Sequence, residues 1–149
     1  MTHSHSLSRI AKKNENKKKT DLDNRINEMM MKFKSKEYNE AITCGETILK
    51  MYPNHTDAYY IVGLSASMLD HHQKTIQNFE KLVALEPKYK KTVYLFLSLS
   101  FKKLGDKESG ISILDKAVKH FPKLYEAYVS FEPLFNLFLD LQRQIVFEN

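Results

Sequence analysis

Apolar residues recur at helical spacing over most of the chain, in six stretches separated by short polar segments. Within each stretch the apolar side chains lie three or four residues apart, which predicts an amphipathic helix with one face in a core. Polar or glycine-containing breakers interrupt the pattern, so it predicts six short helices and an all-α chain. The apolar residues of these helices span 22–33, 38–49, 58–69, 76–85, 93–104 and 111–121.

Three prolines divide the six predicted helices into three pairs. Pro53, Pro87 and Pro122 are separated by 34 and 35 residues, and each follows a similar apolar phrase. Proline cannot continue a helix and biases the preceding residue away from helical angles, so each of the three marks a helix end. A repeat of this length has room for two short helices per unit. The predicted units are 22–55, 56–89 and 91–124, with Lys90 as one extra residue at the second junction.

The second unit carries the fullest set of repeated residue types. Its first helix contains Tyr59, Val62 and Gly63, and its second helix contains Phe79 and ends before Pro87. Small residues such as Gly63 let neighbouring helices approach, while aromatic side chains fill the space between them. The corresponding residues are Tyr94, Leu97, Phe101, Gly105, Asp106, Ala117 and Pro122 in the third unit, and Tyr38, Ala41 and Pro53 in the first. In these residues and in their period the chain resembles the tetratricopeptide repeat family.

The resemblance covers the three units and implies a right-handed α-solenoid of three helix pairs. Three positions depart from the family's pattern. Thr75 and Gly110 stand where an alanine is usual early in the second helix, and Lys32 stands where a large aromatic residue or leucine is common. In such a solenoid each helix pair contacts only its neighbours, so stacking produces a curved surface instead of a catalytic pocket. The resemblance therefore implies that the chain binds another protein.

The resemblance also implies where a partner would bind. In this family the first helices line the concave face, and here that face is mostly apolar and includes two methionines, which suits an amphipathic helix or an extended apolar peptide. Lys34, Lys102 and Lys103 lie at its rim and favour a partner with acidic flanks. An alternative is that several of these side chains are packing between helices. The residues expected on the groove are Asp23, Ile26, Met30, Phe33, Tyr60, Leu64, Met68, Leu95, Leu99 and Lys102.

The expected function is that of a non-catalytic adaptor, which binds a peptide or helix of a larger complex through the concave face. The alternative is a structural component of a cytoskeletal or ciliary-type assembly, which makes contacts through its ends and edges. Tetratricopeptide proteins that hold chaperone C-terminal tails grip carboxylates with a clamp of Lys, Asn and Arg. That clamp is not expected here, because the matching positions are Ile26, Met30, Ile61, Thr92 and Phe96.

The net positive charge of the chain comes from its first 20 residues. The formal net charge is +5, and residues 1–20 account for all of it, because their six basic side chains face a single Glu15. This segment is expected to be a flexible tail that aids solubility, and the alternatives are a nuclear import signal or a contact to microtubules, RNA or anionic lipid. Its lack of aromatic residues argues against nucleic acid. The six basic residues are Arg9, Lys12, Lys13, Lys17, Lys18 and Lys19.

No group of residues suggests catalysis, a cofactor or a bound metal. The four glycines are scattered rather than gathered into a phosphate-binding loop, and no Ser-His-Asp or Cys-His spacing is present. His3 and His5 come nearest to a metal motif, but no further ligand cluster supports them. The lone Cys44 and the lack of a signal or transmembrane segment favour a cytoplasmic protein, with the nucleus, cytoskeleton and cilium as alternatives.

The repeat pattern fades after the third unit. Tyr125 and Tyr128 begin a fourth unit, but Pro133 interrupts the helix that they predict. Residues 134–149 carry apolar side chains on many faces, so 125–149 is expected to be a partial fourth repeat and an apolar helical segment. Three interpretations follow. The segment folds against the last repeat or into the groove, it mediates self-association, or the chain is a truncated or alternatively ended form of a longer array, which the abrupt loss of pattern favours.

Overall fold

The chain forms six α-helices and a short final 3-10 helix in the computed structural model, which describes residues 3–124. Within that range no strand is present, and the prediction of an all-α chain is confirmed. The predictions for 125–149, including self-association through 134–149, lie outside the described residues. The helices are α1 (His3–Lys34), α2 (Tyr38–Met51), α3 (Thr56–Met68), α4 (His72–Leu85), α5 (Lys91–Lys103) and α6 (Lys107–His120), followed by the 3-10 helix Pro122–Leu124.

The helices stack in the order in which they occur along the chain. Each packs against the helix before it and the helix after it, and α3 also contacts both α1 and α5. The first helices α1, α3 and α5 therefore form one layer, and the second helices α2, α4 and α6 form the other. Contacts restricted to neighbours are typical of a solenoid, in which each added unit buries a face that the previous unit exposes.

The periodic prolines end the second helix of each unit, as the sequence predicts. α2, α4 and α6 each stop two residues before a proline. A tyrosine of the following first helix then binds the backbone at the turn. The Tyr59 hydroxyl donates to the Pro53 carbonyl at 2.8 Å, and the Tyr94 hydroxyl donates to the Pro87 carbonyl at 2.7 Å. These two hydrogen bonds hold α3 and α5 against the ends of the helices that precede them.

The turn inside each unit contains one residue in the left-handed region of backbone space. Lys36 has a φ of 62°, Asp70 of 56° and Gly105 of 83°. After each of them the next amide donates to a carbonyl five residues earlier, as His71 does to Ala66 at 2.8 Å. This conformation strains a residue with a side chain by roughly 1–2 kcal/mol, and glycine adopts it freely. The three units therefore share a turn geometry even though the residue type at the turn differs.

Glycines and hydroxyl groups bring the two helices of units two and three together. Gly63 on α3 lies against the Phe79 ring of α4, where an added methyl would sit 2.2 Å from a ring carbon. Thr75 Oγ1 on α4 donates to the Gly63 carbonyl at 3.2 Å. In unit three the roles are exchanged, because Ser98 Oγ on α5 donates to the carbonyl of Gly110 on α6 at 3.0 Å. These contacts explain why Thr75 and Gly110 stand where an alanine is usual.

The basic N-terminal segment differs from the prediction of a flexible tail over residues 1–20, because α1 begins at His3. Residues 3–34 contain no glycine or proline and include seven Lys and three Met, which favour a helix. A helix that is held by packing at one end extends at little cost in such a sequence. Leu22 packs against the core, and every residue from His5 to Thr20 is exposed. The N-terminal half of α1 therefore projects beyond the helix pairs.

Candidate peptide-binding groove

The structure places all ten candidate groove residues on the first-helix layer, but at different depths. Phe33, Leu64, Leu95 and Leu99 are buried, with exposed fractions of 7%, 2%, 3% and 8%. Phe33, Leu64 and Leu99 belong to the main hydrophobic core. The alternative interpretation, packing between helices, therefore applies to these three. The half-buried candidates are Ile26, Met30, Tyr60, Met68 and Lys102, and Asp23 is exposed.

Four half-buried apolar side chains form the accessible part of this face, which we call the groove face. Ile26 and Met30 lie one turn apart on α1, and Tyr60 and Met68 lie on the neighbouring first helix, α3. All four pack against the core on their inner side. A partner that binds here meets side chains that are already ordered, which lowers the entropy lost on binding. The groove face can therefore accept an apolar peptide segment.

An aromatic and charged cluster surrounds Tyr60. Its ring stacks on Phe79 with centroids 6.2 Å apart and contacts the Tyr89 ring at 5.3 Å. The Lys90 ammonium lies 4.3 Å from the centroid of the Tyr60 ring, which is a cation–π contact. The Tyr89 hydroxyl donates to the Asp57 carboxylate. This cation belongs to Lys90, the extra residue between units two and three.

Sequence reasoning missed Asp57, Tyr89 and Lys90 as neighbours of the groove face. The available signal was the extra residue itself, which breaks the period at the second junction. Burial raises the pKa of Tyr60. Burial, and then the hydrogen bond to Asp57, raise the pKa of Tyr89 well above its ordinary value. Both phenols therefore stay protonated, and this part of the face combines aromatic surface with one fixed cation.

The five positions that match a chaperone-tail clamp hold no basic or amide side chain. Ile61 and Phe96 are buried, with exposed fractions of 3% and 0%. Thr92 on α5 is half-buried, and Ile26 and Met30 belong to the groove face. A clamp needs cations that point at the ligand's carboxylates, and these five residues supply none. The absence of chaperone-tail binding stays a prediction.

A cleft of about 460 Å³ opens between α5 and α6, beside Ile111. The Ile111 side chain is 46% exposed, whereas its counterparts in the first two units, Ile42 and Ile76, are 7% and 5% exposed. Ile42 is covered by residues of α3, the first helix of the next unit. The cleft is thus the kind of surface on which the next first helix packs in the earlier units. Its lining residues are Ser98, Lys102, Lys107, Gly110 and Ile111.

Over residues 3–124 no three or more His, Cys, Asp or Glu side chains are grouped so as to hold a metal ion. In the same range no helix is both long and apolar enough to cross a membrane. Cys44 is half-buried, and burial raises the pKa of its thiol. Such a thiol is a poor nucleophile near neutral pH.

Solved structures of other proteins share this fold. MamA protein matches with a TM-score of 0.62 at 21% identity over 70% of this chain, which spans 57% of the MamA chain. The TPR2B domain of yeast Sti1, in complex with pHsp70, matches with a TM-score of 0.64 at 14% identity, covering 84% of this chain and 98% of that one. The Arabidopsis OM64 TPR domain matches with 0.65 at 16% identity, covering 77% and 94%. The comparison with curated proteins gives no match.

The comparison with family models matches the third unit. The tetratricopeptide repeat family model matches residues 94–123, which include most of α5 and all of α6. The solved structures extend the likeness to the other helix pairs, at identities that show the fold alone. The third unit is therefore a tetratricopeptide repeat by its sequence, and the described helices have the fold of tetratricopeptide repeat domains, which confirms the resemblance.

Proposed function

We propose that the chain is a non-catalytic adaptor that binds a peptide or a helix of a larger protein complex through the groove face. The tetratricopeptide repeat fold suggests protein–protein interaction, and the Sti1 domain of the same fold was solved in complex with pHsp70. One observation carries the proposal, namely a set of apolar side chains that the core holds in place and that keep accessible surface on the first-helix layer. These are Ile26, Met30, Tyr60 and Met68.

The partner segment that fits this face is apolar with acidic flanks. Lys90 lies over the Tyr60 ring, and Lys34 and Lys103 are exposed at the ends of α1 and α5. Opposite charge at the rim of an interface accelerates encounter and selects the partner, while burial of apolar surface supplies most of the affinity. An amphipathic helix or an extended apolar peptide with carboxylates at its ends meets both requirements.

Substitution of the groove methionines tests the proposal. Met30→Asp and Met68→Asp are introduced together, and the control is the pair Met31→Asp and Met51→Asp, whose side chains are 67% and 43% exposed away from the groove face. Partners captured from a lysate of the native cell are quantified by mass spectrometry, and circular dichroism checks that both variants fold. The groove variant is expected to lose partners that the control retains. Equal capture by the two variants would contradict the proposal.

A second candidate function is that of a structural component in a cytoskeletal or ciliary-type assembly, with contacts made through ends and edges and with the basic segment on an acidic polymer. The exposed Ile111 side chain beside the α5–α6 cleft favours it, because an apolar group at a stacking surface invites a further helix. Under this alternative Ile111→Asp abolishes capture of the partners, and the groove variant retains them.

A further inference from the structure

The projecting half of α1 carries five of its six positive charges on one side. At about 100° per residue, Lys12, Lys13, Lys17 and Lys19 lie within about 80° of Arg9 around the helix axis. At a rise of about 1.5 Å per residue these five cations form a stripe about 15 Å long, here called the basic stripe. In a flexible tail the same residues would share no face.

Lys18 stands apart from the basic stripe, about 180° from Arg9 on the opposite face of the helix. It has the same charge and the same exposure as the neighbouring lysines Lys17 and Lys19. The helix therefore contains its own control position, because Lys17 and Lys18 differ in facing and in little else.

No ion pair within the described residues joins the basic stripe to a carboxylate. The first ion pair along α1 is Arg25 to Asp21 at 3.0 Å, which lies beyond it. Glu15 is about 120° from Arg9 and lies one turn from Lys12 and Lys19, without an ion pair to either. Like charges at i and i+4, such as Lys13 and Lys17, repel each other and destabilise an exposed helix. An anionic partner on this face would remove the repulsion, so binding and helix formation reinforce each other.

The small apolar surface of this segment argues against a membrane as that partner. Leu7 and Ile10 are the only large apolar side chains among residues 5–20. They are 66% and 56% exposed and lie between Lys17 and Lys18 around the helix axis. A helix on a bilayer buries a continuous apolar face while its cations reach the headgroups from the flanks, and two side chains within one turn do not form such a face along this segment. The basic stripe also holds no Phe, Tyr or Trp on which a nucleobase could stack.

We propose that the basic stripe is a second docking surface, which receives an acidic helix of a partner protein. Arg9, Lys13 and Lys17 follow one another at about 6 Å, the spacing that carboxylates have when they lie one turn apart on a facing helix. The inference rests on the proposed function in taking the partner to be a protein. It does not depend on the groove face, because residues 5–20 lie outside the core that holds that face.

Charge reversals on the two sides of the helix test this surface in the full chain. The probe is a fluorescein-labelled, alanine-rich helical peptide with glutamates along one face, and binding is measured by anisotropy at low ionic strength. Lys13→Glu and Lys17→Glu are each expected to weaken binding about three- to tenfold, because each replaces an exposed attraction with a repulsion. Lys18→Glu makes the same change in net charge on the opposite face and is expected to weaken binding less than about twofold.

Three results would overturn the proposal. Equal weakening by all three reversals would show that net charge alone binds the probe. Asn14→Pro interrupts the helix and leaves every charge in place, so unchanged affinity in this variant would exclude a helical surface. Tighter binding of duplex RNA or phosphatidylserine vesicles than of the peptide would exclude an acidic protein as the partner.

The groove variant separates this proposal from the proposed function. The chain with Met30→Asp and Met68→Asp is expected to bind the acidic probe as the unaltered chain does, since both substitutions lie on the groove face. Loss of lysate partners in that variant with unchanged probe binding supports two independent surfaces. Loss of probe binding in the same variant would contradict the separate docking surface while leaving the groove proposal intact.

Discussion

Units two and three join their paired helices by the same kind of hydrogen bond, drawn in opposite directions. In unit two the glycine is on the first helix, and Thr75 on the second helix donates to the Gly63 carbonyl at 3.2 Å. In unit three the hydroxyl is on the first helix, and Ser98 donates to the carbonyl of Gly110 on the second at 3.0 Å. Both units therefore need two closely packed helices and a hydroxyl that donates to a glycine carbonyl. The small residue can lie on either helix.

The exchange changes how tightly each unit is packed. Gly63 faces the ring of Phe79, which is fully buried. Gly110 faces the Ser98 carbonyl oxygen, 3.1 Å from where a methyl would sit, and lines the cleft of about 460 Å³ beside α5. Interiors at native density resist added volume, whereas a residue beside a cleft has room to adjust. Unit two is therefore expected to tolerate enlargement of its glycine less well than unit three.

Gly63→Ala is expected to produce the largest loss of stability. The added methyl would lie 2.2 Å from a carbon of the Phe79 ring, and that ring packs against both Tyr60 and Phe96. Displacing it is expected to lower the free energy of unfolding by about 2 kcal/mol, even after the gain of up to about 1 kcal/mol from replacing a helical glycine. Urea unfolding followed by circular dichroism measures the difference.

Gly110→Ala is the matched control for that prediction. Its methyl would have one tight contact, with the Ser98 carbonyl oxygen at 3.1 Å, and ordinary contacts with Ser98 Oγ and Phe101 Cβ. The steric loss and the gain in helix propensity are therefore expected to offset each other to within about 1 kcal/mol. Equal losses from the two substitutions would show that the units are packed alike and would contradict the comparison.

The helices could be predicted from the sequence because their signals are local. The spacing of apolar residues and the period of Pro53, Pro87 and Pro122 each depend on nearby residues alone. The exchange of glycine and hydroxyl could not be predicted, because Thr75 and Ser98 act on backbone twelve residues away in a different helix. Such a contact exists only once the two helices are packed.

The groove was harder to predict than the fold, for a geometric reason. A helical stripe shows which residues share a side, but one residue of phase turns a side chain by about 100°. Position along the helix matters too, because Leu64 and Met68 lie one turn apart on the same side of α3, yet Leu64 is in the core while Met68, the last residue of the helix, keeps accessible surface. Lys90 was visible as an extra residue, yet its place over Tyr60 depends on the path of the turn. The basic segment shows the converse, because its charge suggested flexibility while its residue types favour a helix.

Removing the hydroxyls of Thr75 and Ser98 tests the same comparison of units two and three, with smaller expected losses of stability. Thr75→Val keeps the shape of a fully buried side chain and deletes its hydrogen bonds to Gly63 and His71, so a loss of about 1 kcal/mol is expected. Ser98→Ala is expected to lose less, because water in the neighbouring cleft can replace the hydroxyl. Both are measured by urea unfolding. A larger loss from Ser98→Ala than from Thr75→Val would mean that unit three is the tighter of the two.

The smallest expected difference in stability between units two and three concerns the start of the second helix, and it depends on pH. Asp106 caps α6 by accepting hydrogen bonds from the Ser109 hydroxyl at 2.7 Å and from its amide at 3.1 Å, whereas His71 at the start of α4 makes no side-chain cap. The Ser109 hydroxyl, and then its amide, lower the pKa of Asp106. A carboxylate whose pKa is lower in the folded state stabilises fully above the unfolded value of about 3.9 and loses this contribution as the pH falls through the folded value.

Asp106→Asn isolates this cap, because asparagine caps a helix about as well as aspartate and does not titrate. Its melting temperature is expected to lie near that of the unaltered chain at neutral pH and to fall less between about pH 5 and about pH 3. Because His71 gives α4 no such carboxylate, the part of the stability loss at low pH that Asp106→Asn removes comes from unit three. If the melting temperatures of both proteins fall in parallel over this range, the cap contributes nothing that depends on its charge. The difference between the units would then reduce to the packing around Gly63 and Gly110.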